Sequence, residues 1–179
     1  MYYFTMLVFI SAVVTVTVAN DDVFRPGSVI KEFGKVADVE SDVKLPASTV
    51  FKVRFDVGRS SRPGSINQTF DSAARFINLN VAAGVAPENI AIAIVVHGSA
   101  ASDVTKDSFY ASKKENQKNA SAAAVKVLQQ HNVDFYICGQ SAAYQGIEKD
   151  NLLEGVKLAP SAMTMHAVLD QQGFTLNPF

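Results

Sequence analysis

The sequence is poor in several features that would point to particular classes of protein. It has a single cysteine and no tryptophan among 179 residues. One cysteine excludes a scaffold of intramolecular disulfide bonds. The formal net charge is −1 and there is no long run of Lys or Arg. This argues against nucleic-acid binding, because that affinity comes mainly from neutralised phosphates. With 48% hydrophobic residues, the composition is that of one globular domain.

Charge is also missing from the start of the chain, MYYFTMLVFISAVVTVTVAN. Thr17 and Ala19 are small residues at the −3 and −1 positions of a signal-peptidase site, so we predict a secretory signal peptide over residues 1–19. The usual Lys or Arg near the start is absent. About 18 uncharged residues are also long enough for a membrane anchor, which is the alternative. Cleavage implies a periplasmic or secreted protein with no stable membrane insertion.

The remaining chain divides into an arm and a domain. Residues 20–49 have no sustained period and are interrupted by Pro and Gly, so we predict an extended N-terminal arm over the domain. Residues 50–179 are predicted to form an α/β domain. Strands are predicted at 50–57, 90–96, 133–138 and 156–160, with a last strand near the C-terminus.

Helices are predicted between these strands. Three are expected, from Ser65 to Gly84, from Lys113 to about His131, and from Ser161 to Gln172. Capping boxes at Ser65 and Ser112 support the first two starts. Strands that alternate with helices favour a mainly parallel sheet with helices on both faces.

Two side chains with usable chemistry follow predicted strands. His97 comes after IAIAIVV and Cys138 ends VDFYIC. Ligands bind beyond the carboxyl ends of strands in open parallel sheets, so we expect both residues at one edge. Backbone N–H groups after Cys138, and the positive end of a helix dipole, would stabilise a thiolate there.

The turns that follow these two residues are predicted to bind the ligand. Their predicted ligand-binding residues are Gly98, Gly139, Gln140 and Ser141. Gly139 lets the chain turn and lets a ligand approach the backbone closely. The alternative is structural. A free cysteine often behaves as a small buried hydrophobe, and a histidine at a strand end often only hydrogen-bonds a neighbouring loop.

No other motif supports a cofactor or a different reaction. The three His and one Cys lack metal-ligand spacing, and neither G-x-G-x-x-G nor a P-loop occurs. HGSAAS lacks the G-x-S-x-G spacing of a serine hydrolase. We therefore expect no metal and no other cofactor. Two N-x-[ST] sequons, at Asn67 and Asn119, are short motifs that often arise by chance.

Four segments, taken in order, resemble the DsrE/DsrF-like family of the YchN-like fold. They are VVHGSA (95–100), ICGQSA (137–142), GI-x-x-x-x-LLEGVKL (146–158) and SAM…LDQQGF (161–174). The chain is most similar to exported members, which carry an arm similar to PGSVIKEFGKVADV (26–39). The similarity extends from about Phe24 to Phe179, nearly the whole mature chain.

The resemblance implies a three-layer α/β/α sandwich with about five mainly parallel strands, assembled as a homotrimer or hexamer. It also implies sulfur relay, in which a cysteine accepts a sulfane sulfur as a persulfide and passes it on. Cys138 matches a cysteine common in the family, so it is the expected carrier of a sulfurtransferase-type reaction. His97 would be a nearby base or electrostatic partner, and the partners would be a sulfur donor and an acceptor protein.

A second hypothesis remains open beside this one. The chain would then be a non-catalytic exported oligomer that binds a small ligand or a partner, and Cys138 would be a packing residue. The two hypotheses differ on whether the thiol reacts.

Overall fold

A computed structural model describes residues 23–114 and 116–179. The predicted signal peptide, residues 1–19, lies outside this part of the chain. Within the described residues, no helix combines the length and apolar composition needed to cross a membrane.

The centre of the domain is a five-stranded sheet in which every neighbouring pair is parallel. Its strands are β3 (Phe51–Val57), β4 (Ile90–Val96), β5 (Val133–Cys138), β6 (Lys157–Ala159) and β7 (Thr175–Asn177). Their order is β6-β5-β4-β3-β7. The predicted α/β class and parallel sheet are confirmed. Strands β1 (Phe24–Arg25) and β2 (Val36–Ala37) form a separate antiparallel pair in the arm.

In the described part of the chain, five α-helices connect and cover these strands. They are α1 (Gln68–Ala82), α2 (Asp107–Lys113), α3 (Ser121–Gln129), α4 (Gly139–Gln145) and α5 (Ala162–Gln171). Short 3-10 segments occur at Pro87–Asn89, Gly98–Val104 and Lys149–Asn151. The chain moves stepwise from β3 to β6, and α5 then carries it back across the sheet to β7. Right-handed crossovers place α5 on the opposite face from the other helices.

The two faces of the sheet differ in how much they bury. The main face, which packs against α1, α3 and α4, contains the large core. There the rings of Phe70 and Phe135 meet edge to face at 5.2 Å between centroids, and both residues are fully buried. The second face, under α5, has a cluster of only five buried residues: Ala93, Val95, Cys138, Ala162 and Leu169.

Charged side chains share the second face with that small cluster. Arg54 pairs in register with Ala93, and Asp56 with Val95, so both lie on the same side of the sheet as α5. Arg54 donates to the Asp170 carboxylate of α5 at 2.8 Å. Polar contacts thus supplement apolar packing in holding α5.

Two helix predictions were wrong in detail. The first helix begins at Gln68, not at Ser65, because the Asn67 side chain caps it by accepting from the Thr69 N–H at 3.0 Å. The helix predicted from Lys113 to His131 is interrupted. Asn116 has a φ of 61°, a left-handed conformation that a helix interior does not accept. The Ser112 hydroxyl donates to Phe109 O inside α2, so it caps no second helix.

The arm, described from Val23 onward, is hydrogen-bonded to α1 by the buried amide of Asn78 and also by Asp71, which accepts from the Gly34 N–H at 2.8 Å. Asn78 of α1 accepts from the Ile30 N–H and donates to the carbonyls of Ile30 and Gly34, all within 3.0 Å. A Cβ at Gly27 would overlap the Asn78 side chain, so only glycine fits there. Ile30 and Phe33 are buried in the core. The arm is therefore part of the fold rather than a loose extension.

Candidate functional site

Cys138 lies where the chain changes sides of the sheet. After β5 the chain enters α4, and Ala142 and Ile147 pack into the core of the main face. After the adjacent strand β6 the chain enters α5, and Ala162 and Leu169 pack on the second face. Cys138 pairs in register with Ala159, the last residue of β6. Such reversal points between neighbouring parallel strands open a crevice at their carboxyl ends.

The backbone at this point is closely packed. A Cβ at Gly139 would lie 2.7 Å from the Ala159 carbonyl oxygen, so a side chain there would collide with the next strand. Glycine allows β5 and β6 to stay adjacent while their chains diverge. Cys138 itself packs with Ala162 and Leu169 and is only 6% exposed.

The hydrogen bonds around Cys138 favour its thiolate. Burial raises the pKa of the Cys138 thiol, and hydrogen bonds act against it: first from the Ser141 N–H and hydroxyl, then from the N–H groups of Ala162 and Gln140. The hydrogen bonds prevail, and the net pKa lies below its ordinary value. These donors come from the starts of both α4 and α5. Helix α4 has seven residues, so its individual N–H groups matter more than its overall dipole.

Ser141 joins the Cys138 turn to the turn after β4. Its hydroxyl oxygen accepts from the Gly98 N–H at 2.9 Å. The Gln145 amide donates back to the Gly98 carbonyl at 2.5 Å. Gln140 instead reaches the other side and donates to Pro160 O at 3.3 Å. The predicted residues Gly98, Gln140 and Ser141 thus lie in one connected site around Cys138.

His97 belongs to a separate cluster at the same edge. Its Nε2 lies 3.0 Å from Oδ1 of Asp56, and Nε2 of His166 lies 2.9 Å from the same oxygen. Burial raises the pKa of Asp56, but hydrogen bonds from His166 and His97 prevail and lower it overall. Among the described residues, no hydrogen bond joins His97 to Cys138.

A cleft of about 890 Å³ opens beside the Cys138 turn. Its lining comprises Gly98, Ser99, Ser102, Lys113, Lys114, Gln140, Ser141, Tyr144 and Gln145. Over residues 23–114 and 116–179, no group of three or more His, Cys, Asp or Glu is arranged to hold a metal ion. The cleft therefore presents lysines, hydroxyls and amides to a ligand.

A family model described as the DsrE/DsrF-like family matches residues 55–178. The chain belongs to the DsrE/DsrF-like family. The match begins inside β3, so the arm lies outside it. None of the curated proteins matches the chain.

Two solved structures share the fold of this DsrE/DsrF-like chain. One is the protein of unknown function MTH1491 from Methanobacterium thermoautotrophicum, with 17% identity and a TM-score of 0.53 over 72% of this chain and 99% of that chain. The other is the ychN protein from E. coli, with 16% identity and a TM-score of 0.53 over 73% of this chain and 100% of that chain.

Two residues of the His97 cluster in this DsrE/DsrF-like chain, Asp56 and His166, were not predicted from the sequence. Asp56 alternates with the apolar residues of β3, which is typical of any half-buried strand. His166 lies inside an ordinary helix pattern, and 110 positions separate the two residues. Only the return of α5 across the second face brings them together, and no local pattern shows this.

The two N-x-[ST] asparagines serve the fold. Asn67 and Asn119 are 3% and 5% exposed. The Asn67 side-chain amide donates to Asp103 at 2.8 Å, and that of Asn119 donates to the carbonyls of Asp103 and Thr105. Neither amide is free to carry a glycan in the folded chain.

Proposed function

We propose that this DsrE/DsrF-like protein is an exported sulfur-relay protein. Cys138 accepts a sulfane sulfur as a persulfide and passes it to an acceptor protein. One observation carries the proposal: the thiol stands at the reversal point of the sheet, and donors from two helix starts lower its pKa. A thiolate, not a thiol, is the attacking species in sulfur exchange.

The proposed step needs no oxidant or reductant. The Cys138 thiolate attacks the outer sulfur of a donor persulfide, R–S–SH. A sulfur–sulfur bond forms to Cys138, the donor's own sulfur–sulfur bond breaks, and R–S⁻ leaves with the electron pair. His97 is not proposed as the base of this step, because its Nε2 is engaged with Asp56 and none of the groups that affect the Cys138 thiol is His97.

Mass spectrometry tests the transfer. After incubation with a polysulfide or thiosulfate, the peptide that carries Cys138 should gain the mass of one sulfur atom, and the Cys138→Ala protein should not. A native protein whose Cys138 is alkylated readily but never gains sulfur from any donor would contradict the proposal.

The alternative function is that of an exported, non-catalytic binding protein with a structural Cys138. The 6% exposure of Cys138 and its packing with Val95 and Leu169 favour it. It predicts no alkylation of Cys138 until the chain unfolds, and no change in any growth phenotype for Cys138→Ala. Alkylation of the native thiol at a rate that rises with its ionisation would exclude it.

Export and assembly belong to the same proposal. The uncharged residues 1–19 support export, which cell fractionation of the full chain tests. Exposed apolar side chains at the Cys138 edge support a homo-oligomer, trimeric or hexameric: Tyr144 is 92% and Met163 82% exposed. Light scattering of the purified protein measures the subunit count, and a monomer would contradict this part.

A further inference from the structure

Among the described residues, the charged side chains that line the cleft beside Cys138 are all positive. Lys113, the last residue of α2, and Lys114, which follows it, contribute two ammonium groups to the lining. The other lining side chains are uncharged, and among the described residues no carboxylate lines the cleft. An anion is therefore the ligand that this lining favours.

Neither ammonium group forms a salt bridge with a carboxylate among the described residues. Lys113 Nζ lies over the ring of Phe109, 5.4 Å from its centroid. Lys114 Nζ donates to the Ser60 hydroxyl at a long 3.4 Å.

The positive charge of Lys114 acts on the carboxylate of Asp103, which is fully buried. Asp103 accepts from the Ser61 N–H at 2.7 Å and from the Asn67 amide at 2.8 Å. Burial raises the pKa of Asp103, and its hydrogen bonds and the charge of Lys114 offset this only in part. Asp103 thus organises the loop after β3, and it does not line the cleft.

The cleft adjoins the turn that carries the reacting atom, and Cys138 itself is not among its lining residues. Gln140 and Ser141 line it and also donate their backbone N–H groups to the Cys138 thiol. A ligand that contacts these two residues from the cleft is therefore separated from the thiol by the Cys138 turn alone. Transfer therefore requires the Cys138 turn to move, because the thiol is only 6% exposed.

We propose that this cleft binds the sulfur donor, and that the donor is a sulfane sulfur attached to an anionic group. This inference rests on the proposed sulfur relay and names its substrate class. Two sources share that chemistry, thiosulfate and a small organic persulfide that carries carboxylates. A volume of about 890 Å³ is typical of sites for small organic molecules, roughly 300–1,000 Å³, so it suits the organic persulfide better.

The chemistry explains why cations belong in this cleft. With thiosulfate, the Cys138 thiolate attacks the outer sulfur, the bond to the sulfonate sulfur breaks, and sulfite leaves with the electron pair. With an organic persulfide, a thiolate leaves instead. In both cases negative charge approaches a thiolate and then grows on the leaving group, so Lys113 and Lys114 lower the cost of approach and departure.

A charge-matched pair of variants tests the cleft without requiring sulfur transfer. The full chain is compared with Lys113→Gln/Lys114→Gln and with Lys31→Gln/Lys35→Gln, whose lysines lie on the arm. Cys138 is alkylated by anionic iodoacetate and by neutral iodoacetamide at low ionic strength. The cleft variant should lower the iodoacetate-to-iodoacetamide rate ratio several-fold, because removing two positive charges weakens the attraction of the anionic reagent but not of the neutral one. The arm variant should leave the ratio unchanged.

Binding provides a second measurement that does not depend on the reactivity of the thiol. In the Cys138→Ala chain, equilibrium dialysis should show that thiosulfate and glutathione bind, glutathione more tightly. The two lysine substitutions should raise both dissociation constants. Tighter binding of thiosulfate would assign the inorganic donor instead. Equal constants with and without the lysines would overturn the anionic cleft.

The two proposals fail in different ways. If the lysines control the alkylation ratio and the dissociation constants but Cys138 never gains sulfur, the relay is wrong and the cleft binds an anion for another purpose. If Cys138 gains sulfur at the same rate in the cleft variant, the relay stands and the anionic donor site is wrong.

Discussion

The two faces of the sheet differ in how much apolar surface they bury, although the same strands form both. The main face buries a continuous core under three helices, with side chains such as Phe70 and Phe135 fully enclosed. The second face buries five small or medium residues under one helix. The main face therefore stabilises the fold, and the second face leaves room for charged and reactive groups.

The difference shows why the reactive groups lie where they do. Cys138, Asp56 and His166 all lie on the second face or at its carboxyl edge. Buried polar groups need hydrogen-bond partners, and each of these has partners from α5 or from a strand end. Loss of stability and loss of chemistry should consequently come from different substitutions.

The largest expected effect is on the main face. Phe135→Ala removes a fully buried ring that meets Phe70 edge to face, and it should lower the free energy of unfolding by about 3–5 kcal/mol. Leu169→Ala on the second face should cost less, about 2–3 kcal/mol, because α5 can settle on the small cluster. Urea denaturation measures the free energy of unfolding of both variants. Equal losses would contradict the claim that the main face contributes more to stability than the second face.

The arm extends the main side of the molecule, and Asn78→Ala tests its attachment. The substitution leaves the Ile30 N–H and the carbonyls of Ile30 and Gly34 unpaired. We expect a loss of about 2–4 kcal/mol and faster cleavage of the arm by trypsin. Asn80→Ala is the matched control, since the Asn80 side chain donates to Phe76 O within α1 and makes no hydrogen bond to the described residues of the arm. If trypsin cleaved the arm at the same rate in both variants, Asn78 would not be what attaches the arm to α1.

A substitution in the Cys138 turn should change the reactivity of the thiol more than it changes the free energy of unfolding. Ser141→Ala removes the hydroxyl that hydrogen-bonds the thiol and accepts from Gly98. The pKa of Cys138 should rise, so alkylation by iodoacetamide should shift to higher pH, while stability falls by only about 1 kcal/mol. Ser112→Ala on α2 controls for loss of a hydroxyl elsewhere. An unchanged pH profile would mean that Ser141 does not support the thiolate.

The sequence was most informative where one physical cause dominated. The uninterrupted apolar run of Ile90–Val96 became the central strand with the predicted bounds, because burial on both faces requires such a run. The break between α2 and α3 was not predicted. The helical pattern there is broad, and the left-handed Asn116 that interrupts it carries no strong signal.

The site was predicted in the same partial way. Strand ends placed Cys138, Gly98 and Ser141 together, because parallel strands bring their carboxyl ends to one edge. The partner of His97 was not predicted, since Asp56 lies on another strand and the third member of the cluster on a distant helix. Contacts made by a helix that returns across a sheet depend on tertiary packing alone.

The smallest expected effect is a pH dependence at Asp56, where the second face meets α5. Burial raises the pKa of Asp56, but hydrogen bonds from His166 and His97 prevail and lower it overall. Its contribution to stability is therefore present above the ordinary carboxyl pKa and disappears as the pH falls through the lowered value. Asp56→Asn should therefore reduce stability near neutral pH, by less than about 1 kcal/mol because the carboxylate is half exposed and solvent screens it. Urea denaturation from about pH 6 down to about pH 3 should show the two proteins converge in acid. A difference that stayed constant over this range would mean that Asp56 stabilises the fold through contacts that do not depend on its charge.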